Sequence, residues 1–145
     1  MNECASWGEC LFKNFAIRVT PNKARIRSLL ETSEARIKCN EDRLTEANAN
    51  FVFEHYYTSV LEVVQSLALL NGFKVNNHIC HGYYLRDVLK QSELFRLFDD
   101  CRIKRNNLTY YGTRMDFETA KETIKKTEIL LKELKKLINQ KERNE

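Results

Sequence analysis

The C-terminal segment constrains the fold more than any other part of the chain. Phe117, Ala120, Ile124, Thr127, Leu131, Leu134 and Ile138 recur in an unbroken alternation of three and four, with Lys and Glu on the other faces. Only a helix sets residues at that spacing on one side, and so regular a stripe must be buried against other helices. Proline occurs once and glycine four times in 145 residues, too little punctuation for a many-stranded sheet. At this length the chain is expected to form one domain that buries about 70% of its unfolded surface, enough for a core without staples.

Earlier segments carry the same period. "TPN" at 20–22 reads as a helix start with Pro21 near its beginning. Ile26, Leu30, Ser33, Ile37 and Leu44 then form one stripe on a helix of about six turns, skipping a turn at Asn40 and Glu41. The polar "TEANAN" at 45–50 reads as a linker. From about Phe51 to Leu70, Phe53, Tyr57, Val60, Val64 and Leu67 mark one face, which Leu61, Ala68 and Leu70 widen, as suits a central helix. Asn71-Gly72 closes it, glycine supplying the left-handed residue. A shorter helix follows Asn76-Asn77, with Tyr84, Leu85, Val88 and Leu89 available for packing. Ser92 is expected to cap the next, in which Leu94, Phe98, Cys101, Arg105 and Leu108 keep the step until Gly112. The final helix starts near Asp116, and residues 141–145 read as a frayed tail. Residues 1–19 hold Trp7, Phe12, Phe15 and Ile17, enough to dock on a body but not to fold alone. The expected architecture is all-α, a largely antiparallel bundle of four to five helices in a single domain spanning 1–145.

The net charge of +4 is unevenly spread. From Leu11 to Leu30 stand Lys13, Arg18, Lys23, Arg25 and Arg27 without an acid, and 102–114 is again purely basic. Such patches can meet an anionic partner such as RNA, or can be solvated helix ends. Five scattered cysteines without CxxC spacing, and no signal peptide, lead us to expect a reduced, cytoplasmic protein. No run approaches the roughly 20 apolar residues of a membrane span, so no membrane partner is expected.

Arg105 sits where its own stripe requires an apolar side chain. A buried guanidinium needs a partner, solvent or a cleft. Arg102 and Asn106 project into the same region. One reading pairs Arg105 with Glu54, which flanks the stripe of the central helix and would orient the guanidinium. The other holds it in a groove for phosphate oxygens, a task its planar fork suits.

"RNNLTYYG" at 105–112 resembles the motif of the HEPN superfamily of prokaryotic helical domains. So does the order of elements over about 20–140: a Pro-started helix, "FEHYY" at 53–57, "NGFKVNNH" at 71–78, then the Arg-Asn motif before a final amphipathic helix. The resemblance implies a metal-independent endoribonuclease without cofactor, dimeric, with one cleft built from both motif helices. It also implies a toxin–antitoxin or defence setting, with a nucleotidyltransferase antitoxin as partner. Carried over by position, the motif arginine is Arg105 and its polar neighbour Asn106, while the motif histidine falls on Tyr110. The tyrosine found two positions after that histidine falls on Gly112, so Tyr111 is offset by one. Tyrosine, with a pKa near 10, is a poor base beside a histidine near 6.5. Tyr110 can still donate a hydrogen bond or stack on a base.

On these grounds Arg105 and Tyr110 are the catalytic candidates, and Arg102, Asn106 and Tyr111 the nucleic-acid-binding ones. The alternative is a non-catalytic module whose final helix and basic faces bind another protein. "HICH" at 78–81 places His78 and His81 on one helical face, but no distant CxxC completes a metal site, and we read a helix start with incidental histidines. His55 diverges from Glu54 by about 100° and is not expected to serve the same point.

Overall fold

The computed structural model describes residues 4–39 and 43–144. Among them are six α-helices and one small antiparallel sheet, so the chain is all-α in class. The helices are α1 (Trp7–Phe12), α2 (Lys23–Lys38), α3 (Ala49–Leu70), α4 (His78–Tyr83), α5 (Ser92–Tyr111) and α6 (Phe117–Arg143).

Helix α3 is the centre, with Phe53, Tyr57, Val60, Val64 and Leu67 all buried, and it packs on both α2 and α6. Ser33 interrupts the apolar stripe of α2 for a reason the packing supplies. Its Oγ donates to Ser59 O at 3.1 Å, and Ser59 Oγ donates to Ser33 O at 3.2 Å, so two buried hydroxyls satisfy each other across the α2–α3 seam. One turn further along α2, Arg36 forks onto Glu62 of α3 at 3.0 and 3.3 Å.

Asn22 caps α2, its Oδ1 accepting from Arg25 N. That helix ends at Lys38 and does not reach Leu44 as the stripe suggests. Beyond Ile37 the next residues offer nothing apolar, and packing is what sustains a helix in water; the skipped turn itself lies outside the described residues. The polar linker is shorter than expected. Thr45 and Asn48 bond each other through side chain and backbone, and α3 begins already at Ala49. Ser92 is not a cap but the first residue of α5, and Gln91 before it makes no side-chain cap bond. Asp116 caps α6 by accepting from Thr119 N at 2.8 Å, and α6 stays helical to Arg143.

The periodicity does not reveal the sheet. Strand β1 (Ala16–Arg18) pairs with β2 (Phe73–Val75), with Ala16 opposite Val75 and Arg18 opposite Phe73. Gly72 makes the pairing accessible: its φ of 87° turns the chain out of α3, and a Cβ there would stand 3.3 Å from Val19 O. The sheet brings α1 against α4. Cys10 and Cys80, both fully buried, form a disulfide across that junction, which corrects the expectation that all five cysteines are reduced. Spacing could not announce the pair, because 70 residues separate its halves. Cys4 is a free buried thiol whose sulfur lies within 4.8 Å of both. Trp7 packs edge-on against Phe73 and beside Tyr84.

After Tyr83 the chain widens into a π-helical turn, Tyr84–Val88. Asp87 accepts from Trp7 N at 2.9 Å, and Lys90 takes a left-handed φ of 58° before α5 begins. Among the described residues no helix is long and apolar enough to cross a membrane.

Candidate nucleic-acid interface

The start of α4 and the second half of α5 form the walls of an open cleft of about 370 Å³. Asn76, Asn77, His78 and Ile79 line one side, and Arg102, Arg105, Asn106 and Tyr110 the other. Both walls are fixed by backbone chemistry. Asn76 N donates to Phe15 O at 2.8 Å, and Asn77 Oδ1 accepts from Ile79 N to cap α4. At the far end of α5, Gly112 closes the helix in the left-handed region. Just beyond it the buried Asn50 of α3 clamps Met115 on both sides of its peptide, Nδ2 donating to the carbonyl at 3.0 Å and Oδ1 accepting the N–H at 2.9 Å.

The basic run of α5 proves largely compensated, by acids one turn earlier. Arg102 Nε donates to Asp99 at 2.9 Å, while Lys104 and Lys126 of α6 share Asp100, each at 2.9 Å. Arg105 is the exception. It makes no ion pair within 4.0 Å among the described residues. The expected pair with Glu54 is not among the ion pairs of the described residues, and Arg105 instead meets aromatic rings. The guanidinium carbon lies 5.9 Å from the Tyr57 ring centroid and 6.0 Å from that of Tyr110. Aromatic faces attract a cation without neutralising it. The Asn106 Oδ1 contact, at 3.5 Å, is at the outer limit of a hydrogen bond. A half-buried guanidinium thus keeps its donors for something else.

Opposite it stands His78, the residue that sequence reasoning set aside as incidental. Its Nδ1 lies 3.2 Å from the hydroxyl of Tyr57, which is itself buried. Burial, then the charges of Arg105 and Arg102, pull this imidazole below its usual pKa, so it is neutral at pH 7. Burial raises the Tyr57 hydroxyl well above the ordinary phenol range, against the pull of the same two arginines, and that group stays protonated. Helical register placed His78 at the start of α4, but no periodicity tells which helix the start of α4 faces.

The other expected residues divide. Arg102, Arg105, Asn106 and Tyr110 come together, with Tyr110 at the rim and 68% exposed. Tyr111 is 78% exposed and lies outside the cleft lining. His81 does not share an outlet with His78. It is buried in the core, its Nδ1 has no hydrogen-bond partner, and burial followed by the neighbouring His78 pushes its pKa down to about 3. His55 is exposed and lies against α2 beside Thr32, Arg36 and Cys39, away from Arg105.

A cation without a counter-ion, amide groups, a neutral imidazole and an exposed ring can together hold a phosphate and rest a base on its edge. No family model, curated protein or solved structure matches the chain.

Proposed function

We propose that this chain is a HEPN-like helical bundle that binds RNA, or the phosphate of a nucleotide, in the cleft between α4 and α5. Arg105 would grip the phosphate, Arg102 and Asn106 would add charge and donors, and Tyr110 would stack on a base, with Tyr111 beyond the rim. The observation that carries this reading is Arg105 itself. A half-buried guanidinium is costly without a counter-ion, and here none of the described residues supplies one where a cleft opens. In the same reading the protein acts as a homodimer in a toxin–antitoxin or defence setting, beside a nucleotidyltransferase partner. Two copies would place two such clefts within reach of one strand.

The test is fluorescence anisotropy with a labelled single-stranded RNA of mixed sequence, comparing the natural chain with Arg105→Ala. Binding is expected to weaken by roughly 10-fold or more and the salt slope to fall by about one, while the melting temperature holds. Unchanged binding would refute the assignment.

The second reading, a protein-interaction module, draws on exposed apolar side chains such as Phe12 at 86% and Phe51 at 49%. Under it Arg105→Ala leaves RNA binding unaffected and absent throughout.

A further inference from the structure

We infer that Cys4, Cys10 and Cys80 hold one zinc(II) ion when the chain folds with its thiols reduced, in the place where the oxidised chain carries its disulfide. The inference stands apart from the RNA reading above. The three sulfurs all lie within 4.8 Å of one another. Zinc–thiolate bonds are about 2.3 Å long, so sulfurs at the corners of a tetrahedron around zinc stand about 3.8 Å apart. The cluster is already of that size, and Cys10 and Cys80 need only swing apart once they are no longer bonded. A disulfide accounts for two of these residues and leaves the third without a task. Yet residue 4 is held in place by polar bonds around it. Tyr83 donates its hydroxyl to Cys4 O at 2.7 Å, Arg86 donates to Ala5 O at 3.0 Å, and Ala5 N donates to Glu9 at 2.8 Å. Tyr83 ends α4 and Arg86 lies in the π-helical turn after it, so the element that carries Cys80 also fixes Cys4 beside it.

The donors and their burial select the metal. Thiolates are soft ligands, which favour zinc and copper(I) over magnesium or calcium. Cys4 is 3% exposed, and Cys10 and Cys80 are fully buried. Three thiolates around copper(I) bury two net negative charges, whereas around zinc(II) they bury one, and a buried charge is costly. The fourth position of a tetrahedral zinc is then left for a water molecule, as in other sites with three protein ligands. The disulfide and zinc forms differ in oxidation state. A chain that folds with reduced thiols gives up three protons to bind the ion and needs no electron carrier. Starting from the disulfide, a dithiol reductant supplies two electrons and two protons, cleaves the Cys10–Cys80 bond and becomes a cyclic disulfide itself. Because the sulfurs are closed off in the fold, the ion enters before α1 settles on α4.

Either form fastens α1 to α4, so zinc gives the reduced chain the clamp that the disulfide gives the oxidised one. The other free thiols, Cys39 and Cys101, do not belong to the cluster and serve as internal controls. His81 follows Cys80 in the sequence but is not part of the cluster either, and it is not counted as a ligand.

The experiment uses the full chain, unfolded with a phosphine reductant and refolded without oxygen in either excess zinc chloride or EDTA. Bound metal is counted after gel filtration. The expected result is about one zinc per chain, with a melting temperature roughly 10–15 °C above the EDTA sample when free zinc is about 1,000 times its Kd. Cys4→Ala should weaken zinc binding by about 100-fold or more, whereas Cys39→Ala should leave it within about threefold. Folding of Cys4→Ala is checked in its oxidised form, which keeps the disulfide. If that form fails to fold, cobalt(II) in the natural chain carries the test, with near-ultraviolet sulfur-to-metal absorbance of the strength of three bonds. Less than stoichiometric zinc in the natural chain, or undiminished zinc in Cys4→Ala, overturns the inference. So does cobalt absorbance of two bonds or fewer, or failure of the reduced chain to refold with zinc where the oxidised chain refolds. None of these outcomes alters the RNA reading.

Discussion

Breaking the Cys10–Cys80 disulfide should cost more stability than any single side-chain change away from the core. The bond closes a loop with a sequence separation of 70. Loop-closure entropy for a separation of that size is worth about 4 kcal/mol. With an unfolding entropy of roughly 0.3 kcal/mol/K for a chain this long, the melting temperature should fall by roughly 10–15 °C. Neither sulfur is exposed, so reductant reaches the bond only when the region opens. The comparison should therefore be made on protein reduced while unfolded and then refolded, beside a Cys10→Ala/Cys80→Ala variant. Alkylation after denaturation without reductant should label Cys4, Cys39 and Cys101 and spare the other two. A melting temperature within about 2 °C of the oxidised protein would refute the entropic reasoning. Labelling of all five cysteines would refute the bond itself.

Two further perturbations probe the framework of the site. His81 is neutral in the fold, with its pKa pushed down to about 3, whereas in the unfolded chain it titrates near ~6.5. Below pH ~6.5 the unfolded chain takes up a proton that the folded one refuses, so stability is complete above that pH and is lost as the pH falls toward 3. The slope should approach roughly 1.4 kcal/mol per pH unit, and urea midpoints at pH 7, 6 and 5 should drift less for His81→Leu than for the natural chain. An equal drift in both would assign the acid sensitivity elsewhere. Asn50→Ala removes both bonds to Met115 and should cost about 1–3 kcal/mol, read as a lower urea midpoint. An unchanged midpoint would mean that the α5–α6 connection holds without the clamp.

The helices were legible because their burial is one-sided and periodic. Helix α6 keeps its stripe without interruption and matches expectation at its Asp116 cap. What stayed hidden depends on pairs distant in sequence. The three-residue strands β1 and β2 are too short to show an alternation, and they exist because Gly72 lets the chain fold back beside Val19. The same limit applied to the site. Arg105 stood out because it broke its own stripe, and Arg102, Asn106 and Tyr110 followed from its helix. His78 could not be found in that way, because what makes it relevant is the packing of α4 against α5. Asp99 and Asp100 illustrate a different lapse: counting charges from residue 101 onward missed the two acids that helical geometry sets beneath Arg102 and Lys104.

The π-helical turn has a consequence for how such a site can change over time. Tyr84–Val88 holds its residues in a turn wider than an α-helix, and Leu89 N still reaches back to Tyr84 O before the chain reverses at Lys90. A residue of helix corresponds to about 100° of rotation and 1.5 Å of rise. Losing one residue there would leave both helices intact, yet would swing the start of α4 through about that angle and carry His78 off the wall facing Arg105. The connector thus works as a gauge of length. A single insertion or deletion there would separate the two halves of the cleft at once.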